Sequence, residues 1–225
     1  MVNKAEIQGY DISDKSAVVI GCGGLGVNIC THLAGAGIGK LTVCDFDVVE
    51  EKNLNRQFFY DRSMLGKSKC VQAGAFLSNY ATEISVNYIN KKITAVVDLE
   101  FAKETDIVIL AVDNIDAREI AQEFCCKNNI PLVNGGVNGF FGIAYLYVPK
   151  KTPCLACAGM LNECDCKTYN SSATAGIIGS IQAQLAINRL LNNEYTNGCE
   201  LIVVDNLNIS RLKIKSGSDC PLCNK

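Results

Sequence analysis

The chain has 225 residues, 48% of them hydrophobic and 20% charged, with a formal net charge of -2. That length buries a core as one domain with a lobe or as two small domains. The composition excludes disorder, and the charge offers no broad basic surface for nucleic acid. The first fifteen residues, MVNKAEIQGYDISDK, hold no apolar run of signal-peptide length, and no later stretch is apolar for long enough to cross a membrane. A cytoplasmic location is the default expectation.

Residues 16–20 (SAVVI) read as a short buried strand. It runs into Gly21-Cys-Gly23-Gly24-Leu-Gly26 and a helix over 27–36, after which 41–44 is a second buried strand ending at Asp45. Strand, glycine turn, helix and strand form the opening unit of a doubly wound sheet. Residues 50–66 are polar and irregular. A helix follows over 67–80, then strands at 84–89 and 106–111, a helix at 116–127 and a strand at 130–133. The spacing therefore predicts an α/β, Rossmann-like core over residues 1–135. Beyond it, Gly135, Gly136, Gly139 and Gly142 punctuate a run into 143–148, which predicts turns and hairpin-like strands. A loop rich in cysteine spans 153–172, a long helix 175–191 offers Leu185, Ile187, Leu190 and Leu191 for packing, and late strands are expected at 201–204 and 211–214. Residues 136–225 read as a partner-binding, zinc-ribbon-like extension packed on the same core, within one continuous domain.

The glycine turn lets the backbone approach a phosphate, and the helix behind it presents its positive end. Asp45, closing the second strand, stands where an acid accepts hydrogen bonds from a ribose. These features alone fit NAD or FAD as well as ATP. The discriminator is the polar stretch that follows: Asp47, then Asn53, Arg56 and Gln57, then Lys69. Such cations and fixed donors serve phosphoryl or adenylyl transfer. Asp113 and Asn114 follow a strand end, where ligands gather, and a carboxylate there can hold Mg²⁺ against a triphosphate. His32, inside the first helix, reads as packing or capping.

Thirteen cysteines are present, an odd number that cannot all pair internally. Cys22, Cys30 and Cys44 sit among apolar residues as buried fillers. Cys154/Cys157 and Cys220/Cys223 are two C-x-x-C hooks, which four thiolates would close into a structural zinc site; an iron–sulfur centre or redox-active pairs are the alternatives. Cys164 and Cys166 lie in the loop before the long helix, next to Lys167, which favours a thiolate. They are either reactive or incidental thiols.

In GCGGLG at 21–26, DFDVVEEKNLNRQ at 45–57, GKSK at 66–69, AVDNIDAR at 111–118, the paired C-x-x-C motifs and GIIGSIQAQLAINRLL at 176–191, the chain resembles the ThiF/MoeB/HesA superfamily, bacterial relatives of ubiquitin-activating enzymes. The match covers most of the chain in the expected order. The resemblance implies an adenylyltransferase that uses ATP and Mg²⁺ to activate the C-terminal glycine carboxylate of a small ubiquitin-fold sulfur-carrier protein ending in Gly-Gly. Asp45 would hold the ribose; Asn53, Arg56 and Lys69 would contact phosphates. Asp113 would bind Mg²⁺, Gln57 and Arg118 would support the pocket, and the carrier tail would thread towards Gly136. It further implies structural Zn²⁺, a sulfur donor for thiamine, molybdopterin or a related pathway, a homodimer, and a sulfur-handling or conjugating cysteine, with Cys166 first and Cys164 second. One departure stands out. Family members often carry an N-terminal arginine that reaches the partner's ATP, whereas no arginine here precedes Arg56; Lys4 or Lys15 would have to substitute. A peptide adenylyltransferase, an NAD/FAD oxidoreductase and a non-catalytic carrier-binding module are the alternative readings.

Overall fold

The computed structural model describes residues 11–162, 171–191, 199–220 and 222–223. Eight strands form one sheet in the order β3-β2-β1-β4-β5-β6-β7-β8. The first five are β1 (Ser16–Ile20), β2 (Lys40–Cys44), β3 (Ser85–Ile89), β4 (Ile107–Leu110) and β5 (Leu132–Asn138), all parallel. Sheet order reverses between β1 and β4, which opens a crevice at their carboxyl ends. Past β5 the sheet turns antiparallel through β6 (Phe141–Tyr147), β7 (Glu200–Asp205) and β8 (Asn208–Lys213). The hairpin expectation beyond residue 135 is met, and the physical reason is visible. Gly139 (φ 61) turns β5 into β6, and Asn206 (φ 55) turns β7 into β8, residue types that tolerate positive φ.

Helix α1 (Gly24–Gly35), α2 (Lys69–Tyr80) and α4 (Ser172–Leu190) pack with Val19, Leu41, Ile109, Val133 and Leu146 in one buried cluster. Helix α3 (Ile115–Asn128) and the 3-10 turns at Val96–Ala102 pack with the alternate strand residues Val18, Ile20, Val108, Leu110, Leu132 and Tyr145. Strand neighbours thus feed opposite layers, as the period of two requires. Both layers cover the parallel strands, which explains why β1 and β4 read as unbroken apolar runs. Cys22, Cys30 and Cys44 are fully buried, as expected of fillers. On α4, Ile187 and Leu190 are buried, while Leu185 and, just past the helix end, Leu191 pack partly buried against the first cluster.

Two boundaries differ from the sequence reading in ways that matter. Helix α1 begins at Gly24, inside the glycine turn, so the turn and the positive helix end are one feature. Strand β5 runs on to Asn138 instead of stopping at 133. Its glycines are there for space: a Cβ on Gly135 would strike the amide of Gln182 on α4, a fully buried side chain that donates to the Leu110 carbonyl at 2.8 Å. The 3-10 turns at Val96–Ala102 fill a stretch the sequence pattern left unassigned. No helix among the described residues is long and apolar enough to cross a membrane.

Candidate functional site

A cavity of about 530 Å³ opens at the carboxyl ends of the central strands, over the point where sheet order reverses. Its floor is the glycine turn. Gly21 sits at φ +93 with Ala111 behind it, where a Cβ would come within 2.5 Å of the Ala111 carbonyl oxygen. Gly26 does not reach the cavity lining; a Cβ there would strike the Gly21 carbonyl, so this glycine lets α1 close onto the turn. Gly23 is the N-cap of α1 and no side chain caps it, which leaves the positive end of the helix facing the cavity with Gly23 and Gly24 in its lining.

Asp45 is 8% exposed at the end of β2. Its Oδ2 accepts from the Cys22 N–H at 2.6 Å and its Oδ1 from the Asp47 N–H at 2.8 Å. Burial pushes its carboxyl pKa up; those two N–H groups and the Lys69 charge pull the other way. Each oxygen keeps a lone pair for a further donor. Tyr60 steadies the turn from below, its hydroxyl donating to the Cys22 carbonyl at 2.8 Å.

Lys69 opens α2, with its backbone N–H donating to the Asp47 carbonyl at 2.9 Å and its ammonium meeting Asp47 Oδ2 at 2.9 Å. Only 7% of its side chain is exposed, against 49% for Asp47, so the carboxylate pins a cation at the cavity wall. Across the helix N-terminus lies Arg56. It donates to the Lys52 carbonyl and the Asn55 side chain and pairs with no carboxylate among the described residues. Gly24 makes room for it: a Cβ there would lie 3.2 and 3.3 Å from Arg56 Cδ and Cγ. Asn53 and Gln57, both buried, line the same wall, and Asn53 Oδ1 and Gln57 Oε1 have no hydrogen-bond partner.

On the opposite wall, Asp113 is exposed to the cavity. Asn114 lines it too, but its Oδ1 caps α3 by accepting from the Ala117 N–H at 2.8 Å. Arg118 donates to the carbonyls of Met160, Val112 and Gly135 at 3.2, 3.0 and 3.4 Å. Burial lowers its pKa, and the Asp113 charge opposes that. Gly136 lies over its guanidinium. Of the residues singled out from sequence for the nucleotide, all but Gly26 therefore meet at one cavity. His32 is exposed on α1, 2.9 Å from Ser180 Oγ, and is not in the lining. Lys15 pairs with Asp14 and is also outside it. Lys4, Cys164, Cys166 and Lys167 fall outside the described residues.

The sequence reading missed Phe46, Lys91, Lys92 and Ile93, which line the mouth. Lys92 stands 5.4 Å above the Phe46 ring, and Lys91 pairs with Asp98 at 2.9 Å. A signal was present: Lys91-Lys92-Ile93 starts one residue past the strand expected at 84–89, and the strand-end rule applied to Asp113 applied there too.

The two cysteine hooks meet. The sulfurs of Cys154, Cys157, Cys220 and Cys223 all lie within 4.8 Å of one another, with Cys154–Cys220 at 3.5 Å and Cys157–Cys223 at 3.7 Å. A tetrahedral zinc with bonds near 2.3 Å has sulfur–sulfur edges of about 3.8 Å, so the spacing fits. Backbone N–H groups of Cys154 and Gly217 point at Cys223 and Cys157 sulfurs at 3.2 Å, donors of the kind that stabilise thiolates.

The chain is similar to known proteins along most of its length. The ThiF family profile matches residues 5–224. The SAMP-activating enzyme E1 of Haloferax volcanii is 31% identical over 229 residues, covering 98% of this chain and 84% of that protein. Adenylyltransferase and sulfurtransferase MOCS3 of Culex quinquefasciatus is 31% identical over 235 residues, covering 100% of this chain and 53% of that protein; the chain spans about half the length of that relative. Among solved structures, E. coli MccB with ATP matches with a TM-score of 0.84 at 25% identity, over 94% of this chain and 67% of that one.

Proposed function

The chain belongs to the ThiF family of E1-like adenylyltransferases, and we propose that it adenylylates the C-terminal glycine carboxylate of a small ubiquitin-fold sulfur carrier. The carrier is supported by the relatives' names; the observation that carries the ATP-using part of this reading is one wall of the cavity. There Arg56, without a carboxylate partner, stands beside two buried amides with unspent oxygens, Asn53 and Gln57, at the uncapped N-terminus of α1. An amide turned by a flip presents its NH₂ instead. This set fits the spread negative charge of a triphosphate under attack.

In the proposed reaction a carboxylate oxygen bonds to the α-phosphorus, the bond to the β-phosphate oxygen breaks, and pyrophosphate leaves. The carboxylate is already ionised at pH 7, so the site needs alignment and charge neutralisation rather than a base. Asp45 would orient the ribose, Arg56 and Lys69 would neutralise the phosphates, and Asp113 would hold Mg²⁺. When bound, Mg²⁺ supplies charge neutralisation on the leaving pyrophosphate. The four cysteines would hold zinc as a structural tie between the middle of the chain and its end. Residues 1–135 would supply most of the nucleotide site, completed by Gly136, Val137 and Ala175, and residues 136–225 the partner surface, within one domain that acts as a homodimer. Conversion of the adenylate to a thiocarboxylate would need a sulfur donor, and any covalent step is assigned to Cys166, with Cys164 second.

The test follows label from ATP marked at the α-phosphate. Transfer to a carrier ending in Gly-Gly, and none to the same carrier lacking its last glycine, supports the proposal. Label on a short peptide and on no carrier would favour the peptide reading, which uses the same cavity. Label on neither would refute both.

A further inference from the structure

Arg118 links the nucleotide cavity to the four-cysteine site. One hand of its guanidinium holds the Met160 carbonyl. The other holds the carbonyls of Val112, the residue before Asp113, and Gly135, the residue before Gly136. Met160 ends the short turn structure that starts at Cys154: Ala158 donates to the Cys154 carbonyl at 3.0 Å and Met160 to the Leu155 carbonyl at 2.9 Å. That turn is fastened to α3 by Gln122, whose Oε1 accepts from the Leu155 N–H at 2.9 Å, with Gln122 only 1% exposed. Its far side is fixed by the meeting of Cys154 and Cys157 with Cys220 and Cys223.

We propose that the four-cysteine site sets the shape of the nucleotide cavity through Met160 and Arg118. Loading the hooks with zinc locks residues 154–160, which keeps the Met160 carbonyl in place. Arg118 then holds the two backbone segments that carry Asp113 and Gly136 to the cavity wall. Arg118 acts here as a positioning residue. When the turn loosens, a buried guanidinium N–H loses its acceptor, a costly loss, and Arg118 is free to drop its other partners. This inference rests on the reading of the cavity as an ATP site.

The experiment measures ATP affinity by calorimetry, in Mg²⁺, for three forms of the full chain: zinc-loaded, stripped by a chelator, and Gln122→Met. The variant keeps side-chain volume but removes the acceptor for Leu155. The expected result is a Kd raised about tenfold in the stripped chain and restored by zinc. Gln122→Met should retain its zinc by metal analysis and still show a raised Kd. Stripping the variant should then add less than stripping the wild type, because both act through one element. A Gln122→Met chain that holds zinc and binds ATP within twofold of wild type overturns the coupling, whatever the stripped chain does. Failure of the zinc-loaded wild type to bind ATP refutes the functional reading instead.

Discussion

Replacing Gly24 by alanine separates stability from activity. Alanine is favoured over glycine inside a helix by about 1 kcal/mol, and by less at Gly24, the first residue of α1. Against that gain, the new Cβ would lie 3.2 and 3.3 Å from the Arg56 stem and 3.4 Å from Ala175 Cβ, so the Arg56 stem must give by a few tenths of an ångström. A flexible side chain moves at little cost, and net stability should stay within about 1 kcal/mol of wild type. In the proposed reaction, however, the moved guanidinium loses its aim at the phosphates. A charge-assisted hydrogen bond is worth about 1.5–3 kcal/mol, which is roughly 10- to 150-fold in rate. Pyrophosphate exchange should therefore fall by that factor while the urea midpoint barely moves. If Gly24→Ala keeps full activity while Arg56→Ala loses it, the packing argument for Gly24 is wrong.

Other outcomes follow from the same geometry. Gly21→Ala, at positive φ and against the Ala111 carbonyl, should cost about 1–3 kcal/mol or more, read by denaturant melts. Asp98→Asn should show a signature in pH. The Lys91 ammonium, then Thr94 and the Ala95 N–H, hold the Asp98 carboxyl well below its usual 3.8. Its contribution is thus complete above about pH 3.8 and is lost as pH falls through the folded value. The variant should be less stable than wild type at pH 7, and the gap should narrow in melts below pH 4. Cys223→Ser should lower zinc content by metal analysis. A loss of about 3 kcal/mol would lower the melting temperature by roughly 6–12 °C for a chain of this size; an unchanged value would mean that the four sulfurs meet without holding a stabilising metal.

The parallel half of the sheet was legible because its strands are covered on both faces, so apolar runs such as IVIL in β4 and the glycine turn after β1 mark it without ambiguity. The length of β5 was not legible. Gly135 and Gly136 look like a turn in sequence, and only the approach of Gln182 and Arg118 from other elements explains why a strand there carries no side chains. The proposed phosphate contacts Asn53, Arg56 and Lys69 stood out as a polar stretch after Asp45, and their roles were implied by the family resemblance; Asp113 stood out by its place after a strand end. The double duty of Asn114 as a helix cap and the grip of Arg118 on Met160, 42 residues away, depend on tertiary contacts that no local pattern encodes.

Whether this cavity activates a carboxylate with ATP is tested most directly by pyrophosphate exchange. With Mg²⁺ and a cognate carrier ending in Gly-Gly, label from pyrophosphate should appear in ATP, and it should vanish in Asp113→Ala while that variant stays folded. Exchange that persists in Asp113→Ala, or its absence from folded, zinc-loaded wild type with every cognate carrier and peptide, would contradict the claim.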